Sequence, residues 1–296
     1  MNNEINAPDK VWEYRRNAEI RDMANWPEGM QRIALVVEYQ GNEYQGFQRQ
    51  ISAKKTVQGE LEKALSNIAN EAITLACAGR TDAGVHATQQ VVHFDTRAVR
   101  SLKAWREGIN TKLPDSIRVQ WSGQVSPLFH ARFSARGRTY RYVLCPSEVK
   151  PALMRNNVSW TKYTLDIALM QQGANYLVGE HDFTSFRAKL CQASSPVRYI
   201  RHIHFVQCGG FIVMEIKATA FLYNMVRNIV GSLLDVGRGA RSPQWIAEVL
   251  AERSRAAAGT TAQPTGLYFV GVDYPDYPEI PSHAQGPDFV APWFQV

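Results

Sequence analysis

The chain has 296 residues, 45% of them hydrophobic, enough to bury a sizeable core in one or two domains. No apolar run approaches the length of a membrane span, and the N-terminus has no apolar segment like that of a signal peptide. Cys77, Cys145, Cys191 and Cys208 lie far apart with no C-x-x-C pair, which argues against a disulfide framework and for reduced thiols in a cytoplasmic protein.

The net charge of +6 is unevenly spread. Residues 1–29 hold six acids against four bases, and residues 273–296 hold four acids and no Lys or Arg. The remainder carries 29 bases against 17 acids, about +12, as expected for a binder of polyanions such as nucleic acid. Arg132, Arg136, Arg138 and Arg141 form one basic stretch with no acid among them, and Arg187, Lys189, Arg198 and Arg201 form another.

In chain order, residues 1–29 read as an appendage containing one short charged helix. Ile33 to Tyr39 is a strand, followed by the polar loop Gly46-Phe47-Gln48-Arg49-Gln50. Thr56 caps a helix whose Val57, Leu61, Ala64, Leu65 and Ile68 recur at helical spacing. Strands over Ile73–Ala78 and Gln90–Asp95 flank a glycine-punctuated loop carrying Arg80 and Asp82. Ser101 begins a helix that Pro114 closes, and Ile117–Val125 alternates as a strand. The same order then recurs: strand Arg138–Leu144, helix Asp166–Leu177, hairpin Tyr199–Val206 and Phe211–Lys217, helix Phe221–Val236, and strand Gly266–Val272. Ser242-Pro243 opens one additional helix.

Two successive βαββαβ units predict an α+β fold of two ferredoxin-like domains. Their antiparallel sheets would join into one extended mixed sheet with the active-site cleft between them. The expected divisions are an N-terminal extension (1–29), a domain carrying the Asp82 loop (30–136), a second domain (137–274) and a Pro-rich tail (275–296).

The bland reading of the Asp82 loop is a hairpin turn in which Asp82 bonds the backbone and Arg80 is solvated. Arg227 presses against it. On the helix Phe221–Val236 its same-face neighbours are Tyr223, Val230 and Leu234, so the guanidinium either snorkels outward or requires a buried anion. Asp82, Asp235 and Glu215 are the available partners. A carboxylate paired with Arg would keep a low pKa and stay ionised, which suits a nucleophile or base. His202 and His204 share a strand face, but no further ligand spacing completes a metal site. No P-loop, G-x-G-x-x-G or G-x-S-x-G is present, so nucleotide cofactors and a serine nucleophile have no support. Tandem βαββαβ units also describe RNA-binding RRM modules, but neither Gln90–Phe94 nor Phe211–Ile216 supplies the aromatic RNP1 strand. A metal-assisted RNA hydrolase lacks its carboxylate cluster.

Gly79-Arg-Thr-Asp-Ala-Gly-Val-His-Ala87 resembles the catalytic motif of the bacterial tRNA pseudouridine synthase A family, and Phe221-Leu-Tyr-Asn-Met-Val-Arg-Asn-Ile-Val-Gly231 its second signature. Gly46–Gln50, Phe129–Ala135, Asp182–Arg187 and Gly266–Pro275 match as well, so the resemblance spans roughly residues 32 to 290. It implies a catalytic aspartate at Asp82, Arg80 helping to displace the target uridine, an active-site tyrosine at Tyr140, and Arg227 paired with the aspartate. It also implies a homodimer, no cofactor, and as substrates the uridines at positions 38, 39 and 40 of the tRNA anticodon arm. With the basic stretches it makes Tyr140, Phe47, Gln48, Arg49, Arg132, Arg136 and Arg187 the expected RNA contacts. Val226, Leu267 and Phe269 are expected to exclude water from the reacting base. The chain departs from the family pattern at Gln40, where Asp is usual, at Phe47, where Trp is common, and in the extension 1–29.

Overall fold

The computed structural model describes residues 26–50, 55–281, 284 and 286–290. Among the described residues, ten strands form one sheet. The strands are β1 (Gln31–Tyr39), β2 (Leu75–Cys77), β3 (His86–Thr96), β4 (Ile117–Val125), β5 (Gly137–Pro146), β6 (Ser159–Thr161), β7 (Gly179–Asp182), β8 (Val197–Cys208), β9 (Phe211–Ala218) and β10 (Leu267–Asp273). Their order is β4-β1-β3-β10-β5-β9-β8-β7, with β2 beside β3 and β6 beside β5. Most pairs are antiparallel, but β10 runs parallel to β3, Tyr268 opposite His86 and Phe269 opposite Ala87. That short junction joins the strands before Arg136 to those after it.

Strand alternation sorts the core onto the two sheet faces. On β5, Tyr140, Tyr142 and Leu144 join the main apolar cluster, whereas Val143 and Cys145 join a smaller one with Val213, Tyr268, Val270 and Val290. Helices cover the main face: α1 (Val57–Ala69), α2 (Ile167–Asn175), α3 (Met225–Gly237) and α4 (Trp245–Glu252). The Thr56 hydroxyl accepts from the Gly59 N–H, and the Asp166 carboxylate from the Leu169 N–H, so both expected helix starts are capped.

The helix expected after Ser101 is present over residues 102–110, started by the Ser101 hydroxyl accepting from the Ala104 N–H, and its middle, Ala104–Gly108, is π-helical around the fully buried Trp105. Two expectations are corrected. Phe221–Asn224 is not helical, because Asn224 adopts a left-handed conformation (φ 60°) and α3 begins after it. Tyr223 is therefore not on the helix face of Arg227 and stands 46% exposed. The short strands β6 and β7 lie in stretches with no strand expectation.

Several contacts fix the loop before β3. The Phe47 N–H donates to the Thr81 carbonyl (3.0 Å), Tyr39 Oη bonds Thr81 Oγ1 (2.7 Å), and Gln90 Nε2 donates to the Gly79 carbonyl (2.6 Å). Gly84 takes φ +82°, and a Cβ there would also press on Pro264. At Gly41 a Cβ would collide with the Val85 backbone. Gly41→Ala is therefore expected to destabilise the protein by roughly 1–3 kcal/mol in urea titration and to lower turnover by shifting the loop. Gly210→Ala, at a hairpin tip with nothing within 4 Å of the new Cβ, should leave both unchanged.

Candidate active site

The Asp82 loop meets the start of α3 at one ion pair. Arg227 Nη1 lies 3.4 Å from Asp82 Oδ2, and the two side chains are 17% and 20% exposed. Of the three candidate partners this leaves Asp82 alone, since Glu215 pairs with Arg141 and His202, and Asp235 with Arg238. Three groups aim the guanidinium: Asp82 itself, the Ala262 carbonyl accepting from Nε (2.8 Å), and Asn224 Oδ1 accepting from Nη1 (3.0 Å). The distance to Asp82 exceeds the roughly 2.7–2.9 Å of a tight charge-assisted bond, so the carboxylate is oriented without being fully consumed.

Burial pushes the Asp82 carboxyl above the usual carboxylate range, and the neighbouring Arg227 only partly opposes this. The expectation of a low pKa is thereby corrected: taking the group out of water outweighs the single, long ion pair. Tyr140 is 8% exposed, its ring edge-on to Phe221 (5.0 Å) and tilted against Phe269 (4.9 Å). Burial, then the nearby Tyr39 and Asp82, raise its hydroxyl far above the ordinary range, so it stays protonated at neutral pH. Leu267, Phe269 and Val226 are all buried.

Arg80 is exposed and makes no ion pair or hydrogen bond among the described residues. Its charge, with that of Arg132, opposes the burial that pushes the Cys77 thiol up to about 11. The four cysteines are free.

Other expected RNA contacts divide. Phe47 is fully buried and packs against Tyr39 (6.0 Å), which corrects its expected role: its backbone, not its ring, serves the site by holding Thr81. Gln48 is half-buried, and Arg49 is exposed beside Glu62 (3.2 Å). Arg132 is exposed over the Phe133 ring. Arg136 is mostly covered and lies 3.6 Å from Asp276. Arg187 is half-buried in a segment docked beside Arg227: the Ala188 N–H donates to the Tyr223 carbonyl, and the Tyr223 N–H to Cys191 Sγ. Two arginines of the first basic stretch are spent internally. Arg138 donates to the carbonyls of Ala78, Arg132, Ala135 and Thr219, and Arg141 to Glu215 and the Gly286 carbonyl. His202 and His204 stack at 4.7 Å, and no cluster of three metal-ligating residues occurs among the described residues.

Sequence reasoning missed Asn224 and Ala262. His86 is buried, and burial lowers its pKa to about 4, so the ring is neutral. Its Nδ1 accepts from the Gly41 N–H, which leaves Nε2–H to donate to the Thr265 carbonyl (3.2 Å). Asparagine's tolerance of left-handed backbone was a usable signal for Asn224. The carbonyls of Ala262 and Thr265 have no side-chain signature.

A carboxylate desolvated beside a guanidinium, over a wall of aromatic rings, defines a site for acid–base or nucleophilic chemistry on a planar substrate. A sequence profile of the tRNA pseudouridine synthase family matches residues 35–134 and 174–275. The chain belongs to that family, whose members are isomerases acting on tRNA. A Shewanella piezotolerans protein named tRNA pseudouridine synthase A is 50% identical over 259 residues, covering 88% of this chain and 99% of that one. Proteins of the same name from Klebsiella pneumoniae (50% over 260 residues; 88% and 96% covered) and Pseudomonas aeruginosa (49% over 263; 89% and 92%) are similarly close.

If turnover needs ionised Asp82, it must fall as pH drops through the carboxyl's folded-state pKa, which lies above the ordinary ~3.9. Arg227→Gln removes the group that favours ionisation, so the acid limb of the single-turnover pH profile is expected to move to higher pH. An unmoved limb would show that Arg227 does not act on the titrating group.

Proposed function

We propose that this protein converts uridine to pseudouridine at positions 38, 39 and 40 of the tRNA anticodon arm, in the cytoplasm, as a homodimer without a cofactor, and that Asp82 is its catalytic residue. The observation that carries the assignment to Asp82 is its desolvated carboxyl, oriented by Arg227 and adjoining Tyr140. The strand order supports a reading as two ferredoxin-like units. β4-β1-β3-β2 and β10-β5-β9-β8 are the same arrangement, numbered from the first strand of each half. The expected units 30–136 and 137–274 fit it, with the cleft between them and the segments 1–29 and 275–296 outside.

The reaction breaks the N1–C1′ glycosidic bond, turns the freed uracil and joins C5 to C1′. Atoms are conserved and nothing is oxidised or reduced, so the chain need supply only positioning, charge and one proton route. The base must first leave its stack, at a cost of a few kcal/mol. Arg80, exposed and unpaired among the described residues, is free to enter the vacated space and hold phosphates. Tyr140 and Phe269 offer the detached ring an aromatic floor. Asp82 attacks the nucleoside or removes a proton from it, a role a carboxylate can fill only when ionised. Val226, Leu267 and Phe269 keep water from the cleaved intermediate, which would otherwise hydrolyse. Gln48, Arg49, Arg132, Arg136 and Arg187 are assigned to the RNA surface around the site.

Two results are expected. Asp82→Asn should abolish tritium release from [5-³H]uridine-labelled tRNA while tRNA affinity stays within about threefold of the parent, a difference of less than 1 kcal/mol. Tritium release at the parental rate would remove Asp82 from the chemistry. Affinity should also fall steeply with salt, since each neutralised phosphate releases counterions, and Arg80→Gln should lower the slope of log K against log salt by about one.

A further inference from the structure

Gln90 is fully buried in β3, yet its side chain is polar. An amide there must find partners for both a donor and an acceptor, or it destabilises the strand. It finds them in the two backbone groups of one residue. Nε2 donates to the Gly79 carbonyl (2.6 Å), and Oε1 accepts from the Gly79 N–H (3.3 Å). The neighbouring Gln89 points to the other face of the sheet, where its Nε2 donates to the Pro281 carbonyl.

The register of β2 on β3 shows why the clamp sits here. Leu75, Ala76 and Cys77 pair with Phe94, His93 and Val92, and the Ala78 N–H still donates to the Val91 carbonyl. Beyond Cys77 the strand ends. Gly79 comes level with Gln90 and finds its partners in that side chain rather than in a neighbouring strand. The chain leaves the sheet at this point, where a Cβ on Gly79 would already lie 3.3 Å from the Phe269 ring. Two residues on, Thr81 is held by Tyr39 Oη (2.7 Å) and by the Phe47 N–H (3.0 Å). The backbone is thus pinned on both sides of Arg80 and immediately before Asp82.

We propose that Gln90 is a positioning residue for the reaction: its two-bond clamp on Gly79 sets the direction in which the chain leaves β2, and with it where Arg80 and Asp82 stand. The inference rests on the roles proposed above for those two residues. The clamp needs a donor and an acceptor at once, which separates two substitutions of similar size. Methionine keeps the length of the side chain and loses both bonds. A glutamic acid side chain keeps the shape and reproduces both bonds only when protonated, its O–H donating to the Gly79 carbonyl and its other oxygen accepting from the N–H. Ionised, it sets an anion against that carbonyl.

The test is the saturating single-turnover rate of tritium release from [5-³H]uridine-labelled tRNA, taken as a ratio to the parental protein across about pH 5–9. Gln90→Met is expected to lower the rate about tenfold or more at every pH, because a small displacement of reacting groups is costly. Its tRNA affinity should stay within about threefold of the parent. Gln90→Glu should approach the parental rate at the acid end and fall away as pH rises through the pKa of the buried carboxyl. That trend runs opposite to the acid limb expected of Asp82, which the ratio removes. Around the clamp, burial raises the pKa of Tyr39, Cys77 and Tyr140, while Arg80 and Arg138 stay cationic, so no other group there titrates in this range. Circular dichroism verifies that each variant is folded. If Gln90→Met does not fold, the Gln90→Glu ratio decides. The proposal is overturned by a parental rate in folded Gln90→Met, or by a Gln90→Glu ratio that is flat or rises with pH. Failure of Gln90→Glu to fold at an acid pH where the parent is folded also overturns it, since the amide would then serve the strand alone. Absence of release from the parental protein refutes the Asp82 reading and this inference with it, whereas failure of the clamp alone leaves parental release intact.

Discussion

The arrangement of the site depends on one constraint: the Arg227 guanidinium must be held in a half-buried position across from a carboxylate contributed by a distant part of the chain. A buried cation is tolerable only when its donors are satisfied, and here Ala262, Asn224 and Asp82 share that task. The segment supplying Ala262 is pinned several times over. The Ala262 N–H donates back to the Arg227 carbonyl, Tyr142 Oη donates to the Gln263 carbonyl, Pro264 packs on Gly84, and the Thr265 carbonyl receives His86 Nε2–H. Gly231 belongs to the same device, because a side chain there would collide with the Thr260 carbonyl. One short segment thus ties α3, β5, β3 and the Asp82 loop together.

The electrostatics follow from that geometry. If Arg227 lay closer to Asp82, it would lower the carboxyl's pKa and tie up its lone pairs. At 3.4 Å the pair keeps the carboxylate aimed while desolvation leaves it more basic than a surface carboxylate. Greater basicity serves a group that must attack carbon or accept a proton. Arg138 works differently: buried among carbonyls of Ala78, Arg132, Ala135 and Thr219, it fastens the end of β2 and the linker before β5 to the edge of β9. A stretch that reads as a uniform basic footprint therefore contains cations of two kinds, those that fasten the chain and those, such as Arg132, that stand exposed to solvent.

Much of this was legible in the sequence because it rests on periodicity and on local chemistry. The alternation of Tyr140, Tyr142 and Leu144 located both β5 and its inward face, Thr56 and Asp166 marked helix starts, and Arg227 on an apolar helix face had either to snorkel outward or to meet an anion. The misses have a common physical origin in tertiary context. β6 and β7, three and four residues long, are too short for alternation to register and exist through pairing with β5 and β8. Phe221 and Leu222 have the apolarity of a helical turn, and only the left-handed Asn224 stops the helix short of them. Phe47 looks like an exposed aromatic in a polar loop, yet its ring fills the core under the loop.

The sign of the Asp82 shift is the clearest instance of that limit. An adjacent arginine can be inferred from spacing, and taken alone it predicts a stronger acid. How far the carboxyl is withdrawn from water depends on what the fold packs around it, which sequence adjacency does not show. Two opposing contributions of similar origin decide the protonation behaviour, and only the folded surroundings fix which is larger. The same reasoning separates Asp82 from Glu215. The latter is also half-withdrawn from solvent, yet Arg141 at 2.9 Å and His202 at 3.1 Å hold its carboxyl below the usual range. Doubly paired, Glu215 is a structural anion. Asp82, singly and loosely paired, retains free lone pairs and a raised basicity, which is what the proposed chemistry would use.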